Sequence, residues 1–213
     1  MEIHKKLLAS ISPELNKHVN NNMREGTEGI IYFTDEEEEV LTLFIEWTYT
    51  GNYTREDELE QNPWPSLLKH LRLYVFADKF NVPTLKELAE SRFHSEVSHV
   101  TVEPNILSDE PNNESDVACL IILTGYACDN LPSSDPVLKF LARYAAWNLE
   151  WLRGETSFSD LILAQPDFLK ELLMNVSGPK TRPTAPQKHT PQVERAYVSR
   201  HYSQPRCYCD ILI

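Results

Sequence analysis

Glycine is scarce, at six of 213 residues, and none lies in a pattern that could cradle a phosphate. This argues against nucleotide binding, because a phosphate loop needs glycine to bring backbone amides close to the anion. Cysteine is also scarce. Cys119, Cys128, Cys207 and Cys209 make no disulfide framework for a chain of this size, so a reducing, intracellular setting, nucleus or cytoplasm, is expected. Cys207-x-Cys209 lacks a second pair of soft ligands and falls short of a structural zinc site. The seven histidines include no His-x-x-x-His pair. No nucleophile elbow is present, so no catalytic, cofactor-binding or metal-binding residue is assigned and the chain reads as a non-enzyme. The longest apolar run, Val117 to Leu123, is too short to cross a bilayer. No charged segment followed by an apolar run opens the chain, so no secretory signal is expected.

Positive charge is in deficit as well: 20 Lys and Arg stand against 32 Asp and Glu, for a net charge of -12. Phosphate attraction needs a basic surface, so the balance argues against nucleic acid as a partner. The deficit is uneven. From Pro179 onward six basic residues face two acidic ones, which leaves this part at +4 and the rest of the chain at -16.

What the chain does have is the stretch Leu67 to Phe93, LLKHLRLYVFADKFNVPTLKELAESRF. Its first half is apolar too densely for a one-faced surface helix, which predicts a buried one. At Val82-Pro83 the pattern stops and restarts, because proline lacks a backbone donor, disfavours the helical state in the residue before it, and suits the first position of a new helix. Two helices joined by a tight corner follow.

Upstream, Ile30 to Phe33 is a short β-prone run that ends at Thr34. Thr34 and Glu37 have capping-box spacing, and the acids Asp35 to Glu38 suit the positive end of a helix dipole. Downstream, Asp135-Pro136 has the form of a helix start, and Trp147 and Trp151, four apart, are expected to pack as a pair. Ser159 to Val176 gives a last helical segment divided at Gln165-Pro166.

Three motifs stand in order: His4, Lys5, Leu8, Ser12 and Pro13; then FIEWTYTGNY; then LRLYVFADKFNVPTLKELA. In this order they resemble the BTB/POZ domain, and the helices after them resemble the extension of fungal members of that family. The resemblance implies an α+β fold, mostly helical: an incomplete BTB/POZ core with a small residual sheet plus a C-terminal helical extension. The family's two opening strands and their acidic residue would precede His4, so the strand at Ile30 to Phe33 is expected to have open edges. The expected layout is a core over 1–96, a linker over 97–116, the extension over 117–176 and a disordered tail over 177–213.

By the same resemblance the chain is a non-catalytic protein-protein interaction module, self-associating as a homodimer or partner-binding. The alternative is a substrate adaptor of a cullin-based ubiquitin ligase. Met23-Arg24-Glu25 matches the hydrophobic-x-Glu motif of cullin-recruiting members, and Met23, Glu25, Thr34 and Asp35 form the expected partner-binding set. His4, Lys5 and Leu8 form the expected dimer interface. No cofactor, nucleic acid or membrane contact is implied.

Overall fold

A buried helix with apolar residues on two opposite faces organises the protein. A computed structural model of the chain describes residues 3–20, 33–54, 62–102 and 115–177. In these residues the order is α1 (Lys5–Ile11), α2 (Pro13–Val19), α3 (Glu38–Thr50), α4 (Trp64–Lys79), α5 (Pro83–Val97), α6 (Asp116–Asn130), α7 (Pro136–Trp147), α8 (Leu149–Leu152), α9 (Thr156–Ala164) and α10 (Pro166–Asn175). Met1–Ser177 forms one unit and Gly178–Ile213 a second, which lies outside the described residues.

On α4, Leu67, Leu71 and Tyr74 recur at helical spacing and enter a core with α6 to α10, the second half of α5, and Val102. Leu73, Phe76, Ala77 and Phe80 face the opposite way. They enter a second core with Leu8 and Leu15 of the α1–α2 pair, Val40 and Phe44 of α3, and Leu85. Every one of these α4 side chains is buried, which explains the density of apolar residues: one helix serves two cores. The larger core therefore includes residues on both sides of the 97–116 segment, and α4 and α5 pack against the later helices directly.

The corner between α4 and α5 forms as the Val82-Pro83 step predicts. Asn81 takes a left-handed conformation with φ of 50°, and the Val82 amide donates to the Ala77 carbonyl at 2.8 Å. This is the bond pattern of a helix C-terminus closed by a left-handed residue, a role asparagine fills more readily than most side chains. Pro83 then opens α5. Ser12 ties α2 into the same corner: its hydroxyl accepts from the Glu14 and Leu15 amides and donates to the Phe80 carbonyl.

The α+β expectation is corrected: among the described residues there is no strand, and the fold is all-α. Ile30, Ile31 and Tyr32 lie outside the described residues. Phe33, the end of that run, is in no ladder; its ring packs 5.3 Å from that of Phe80 and 6.1 Å from that of Phe76. The residue is β-prone, but aromatic burial against α4 is what it does here.

The capping box at Thr34 is corrected too. The helix starts at Glu38, with Glu37 extended before it and no side-chain cap bond. The acids reach across to α4 instead. Glu36 pairs with Lys79 at 2.6 Å, Glu37 with Arg72 at 2.6 Å and Glu39 with Lys69 at 3.0 Å. Lys69, Arg72 and Lys79 lie on one stripe of α4, so the acidic run matches a basic row on the neighbouring helix. None of the described helices is long and apolar enough to cross a membrane.

Candidate partner-binding surface

Two polar clusters were candidates for chemistry. In the first, the Tyr53 hydroxyl lies 3.0 Å from His70 Nδ1, His70 Nε2 lies 3.0 Å from Glu96 Oε2, and the Ser66 hydroxyl donates to the same Glu96 oxygen at 3.0 Å. The residues include a serine, a histidine and a carboxylate, but in an order that cannot activate the serine. A nucleophilic hydroxyl must reach an imidazole that can take its proton; Ser66 reaches the carboxylate, and the imidazole is on the far side. The His70–Glu96 contact is close enough for an ion pair without the alignment of a hydrogen bond. Arg92 closes the cluster, stacked 4.0 Å over the Tyr53 ring and donating to the Tyr53 carbonyl at 2.6 Å. The arrangement ties the segment after α3 to α4 and α5.

The second cluster lies between α5 and α7. His94 sits 4.5 Å from the Phe140 ring, and its Nε2 is buried with no hydrogen-bond partner. Burial lowers its pKa most; Glu90 raises it, and Arg143 on α7 lowers it further. The group favours the neutral form in the fold more than in the unfolded chain. Its contribution is therefore fully present above about pH 6.5, the ordinary imidazole value, and is lost as pH falls toward the lowered folded value. The wild-type chain is expected to melt at a lower temperature at pH 5.5 than at pH 7.5, and His94→Phe to narrow that difference; equal pH dependence in both proteins would refute the assignment.

Among the described residues, no group of three or more His, Cys, Asp or Glu side chains could hold a metal ion. Cys128 is a free thiol. Cys128 is pushed up to about 12, by burial first and Asp129 second, which suppresses the nucleophilic thiolate.

The residues singled out for binding are scattered. Met23 and Glu25 lie outside the described residues. Thr34 and Asp35 are exposed in the turn before α3, where the Thr34 hydroxyl donates to Asp35 at 3.3 Å. His4 is exposed but engaged within the chain: its amide donates to the Tyr49 hydroxyl at 3.1 Å, and its Nδ1 is 2.7 Å from the same oxygen. Lys5 is exposed one residue on. Leu8 is 2% exposed and belongs to the inner core with Leu15 and Phe44, so any contact with a second chain here falls to its neighbours.

A surface that sequence reasoning missed lies at the other end of the chain. Trp147 closes α7 at 86% exposed; Leu163 on α9 is 79%, and Leu173 and Met174 on α10 are 62% and 75% exposed. The Trp147–Trp151 pair is corrected here. The chain turns at Asn148, which caps both α7 and α8, and both indoles face solvent, Trp151 at 45%. The signal was available in helical phase. Phe168 and Leu172 set the buried stripe of α10, and Leu173 and Met174 fall one and two residues past it, on the outer side. A polar bond helps to hold these helices in place: Gln165, the single residue between α9 and α10, donates to Asp129 at the end of α6 at 3.0 Å.

No protein-family model matches the chain, and comparison with curated proteins gives no match.

Proposed function

We propose that the chain is a non-catalytic protein-protein interaction module of BTB/POZ type that associates through its C-terminal helices. One observation carries the reading: Trp147, Leu163, Leu173 and Met174 stand exposed on α7, α9 and α10, and α10 packs against both of the others. Large apolar side chains grouped on a surface mark interaction sites, whereas single exposed ones are ordinary. Trp and Met are also residue types enriched where proteins meet. The BTB/POZ part rests on the motifs at His4 to Pro13, Phe44 to Tyr53 and Leu71 to Ala89.

The test is light scattering of the full-length chain over a range of concentrations. At low salt, two copies of so acidic a chain repel. In about 0.5 M salt, charges more than a few Å apart are screened, and the measured mass is expected to rise with concentration toward a dimer. Leu173→Ser combined with Met174→Ser should keep the mass at one chain with an unchanged circular dichroism spectrum. A wild-type chain that stays monomeric throughout, or a variant that associates equally well, would overturn the assignment of this face.

A further inference from the structure

We propose that the surface of α9 and α10, with the adjoining end of α6, binds a cationic amphipathic helix of a partner protein. This inference rests on the reading of that surface as an interaction face and adds the chemistry of what it holds.

The argument is the charge that accompanies the apolar side chains. Between Glu155 and Val176 the chain carries Glu155, Asp160, Asp167 and Glu171 against Lys170 alone, and Asp129 joins them from α6. Asp160 and Leu163 are three residues apart on α9, so they share a face; on α10, Asp167, Lys170 and Met174 do the same at spacings of three and four. The outer side of α9 thus sets an acid beside a large apolar side chain, and that of α10 carries Asp167 and Met174 with the single cation Lys170 between them. Several acids elsewhere are used internally: Glu36, Glu37 and Glu39 hold the basic row of α4, and Asp78 holds Lys86 at 2.6 Å, whereas Glu38 and Glu87 are exposed without an ion pair among the described residues. Glu155, Asp160 and Asp167 are exposed and form no ion pair among the described residues.

A second copy presents the same acids and is repelled at ordinary salt. A neutral apolar segment leaves the carboxylates beside a dry contact without counter-charge, which is costly. A helix with Leu-type residues along one side and Lys or Arg flanking them satisfies both. Its apolar stripe covers Leu163, Leu173 and Met174, and its cations meet the acids at the rim, where complementary charge speeds encounter and selects the partner.

The probe is a labelled synthetic peptide of Lys and Leu, about 18 residues or five helical turns long, with Leu at amphipathic spacing. It is titrated into the full-length chain at low protein concentration. Two controls accompany it: a scrambled peptide of the same composition, and the amphipathic peptide with Gln in place of Lys. The Lys/Leu amphipathic peptide is expected to bind at least about tenfold more tightly than either control. Leu163→Ser with Met174→Ser should weaken it at least about tenfold, since one well-buried apolar side chain alone is worth that much. Asp160→Asn with Asp167→Asn should weaken it severalfold and flatten its salt dependence, with the helical spectrum unchanged in both variants.

Equal binding of the scrambled peptide would show only that an acidic protein attracts cations, and overturns the proposal. Equal binding of the Gln peptide would leave the face as an interaction surface and remove the charge requirement. Should no peptide bind while salt-promoted association through Leu173 and Met174 persists, this inference falls and the proposed function stands; should both be missing, both fall.

Discussion

Phe76→Ala is expected to cost about 3–5 kcal/mol, the range for removing a fully buried aromatic side chain. Phe76 is 1% exposed, and its ring lies 4.6 Å from that of Phe80, 4.9 Å from that of Phe44 and 6.1 Å from that of Phe33. It therefore joins α4 to α3 and to the segment that carries the acidic run. The three ion pairs beside it are partly exposed and add little by themselves, so aromatic burial is what holds that segment on α4. Urea unfolding is the measurement: the midpoint should fall with the slope unchanged. Phe33→Ala should cost less, because Phe33 is only half-buried. If Phe76→Ala lost under about 1 kcal/mol, the second core would not be a packed core.

The elements legible in the sequence were those where one local cause dominates. The α4–α5 corner was readable because Pro83 removes a donor and restricts Val82 whatever surrounds them. The breaks at Asp135-Pro136 and Gln165-Pro166 were readable for the same reason, and α7 and α10 begin there. The density of apolar residues on α4 announced burial, although two cores rather than one could not be told from density alone.

Where the outcome depended on a partner distant in sequence, local reasoning failed. Thr34 and the acids after it satisfy every rule for a helix start, yet Glu36, Glu37 and Glu39 found cations 30 to 43 residues away on α4, and the helix begins only at Glu38. Phe33 likewise left the strand predicted for it for a neighbouring aromatic cluster. Trp147 and Trp151 fit a helical pair by spacing, but Asn148 ends α7 between them and the phase is lost. The exposed apolar face was missed for a different reason. Leu163, Leu173 and Met174 count toward hydrophobic content like any core residue, and only the phase set by Phe158 on α9 and by Phe168 and Leu172 on α10 shows that they point outward.

Asp135→Ala is the substitution expected to separate the two roles that one carboxylate combines. As predicted from Asp135-Pro136, the side chain caps α7, accepting from the Val137 amide at 2.9 Å. It also accepts from the Tyr74 hydroxyl, at 3.1 Å to one oxygen and 3.0 Å to the other, and lies 3.7 Å from Lys86 Nζ, which in turn stands 4.7 Å over the Tyr74 ring. Asp135 and Tyr74 are both buried, and Tyr74 is held far from ionising, by burial first and by its bond to Asp135 second. Losing a cap costs about 1 kcal/mol, and a buried hydroxyl left without a partner costs about 1–3 kcal/mol more. Asp135→Ala should therefore destabilise by about 2–4 kcal/mol. In a Tyr74→Phe background no hydroxyl is stranded, so the same substitution should cost only the cap, about 1 kcal/mol. The coupling energy from the double-mutant cycle, about 1–3 kcal/mol by urea unfolding, measures how strongly α4 and α7 are joined through this bond. Strict additivity would mean that Asp135 acts on α7 alone, and that the C-terminal helices rest on α4 by apolar contact without this polar tie.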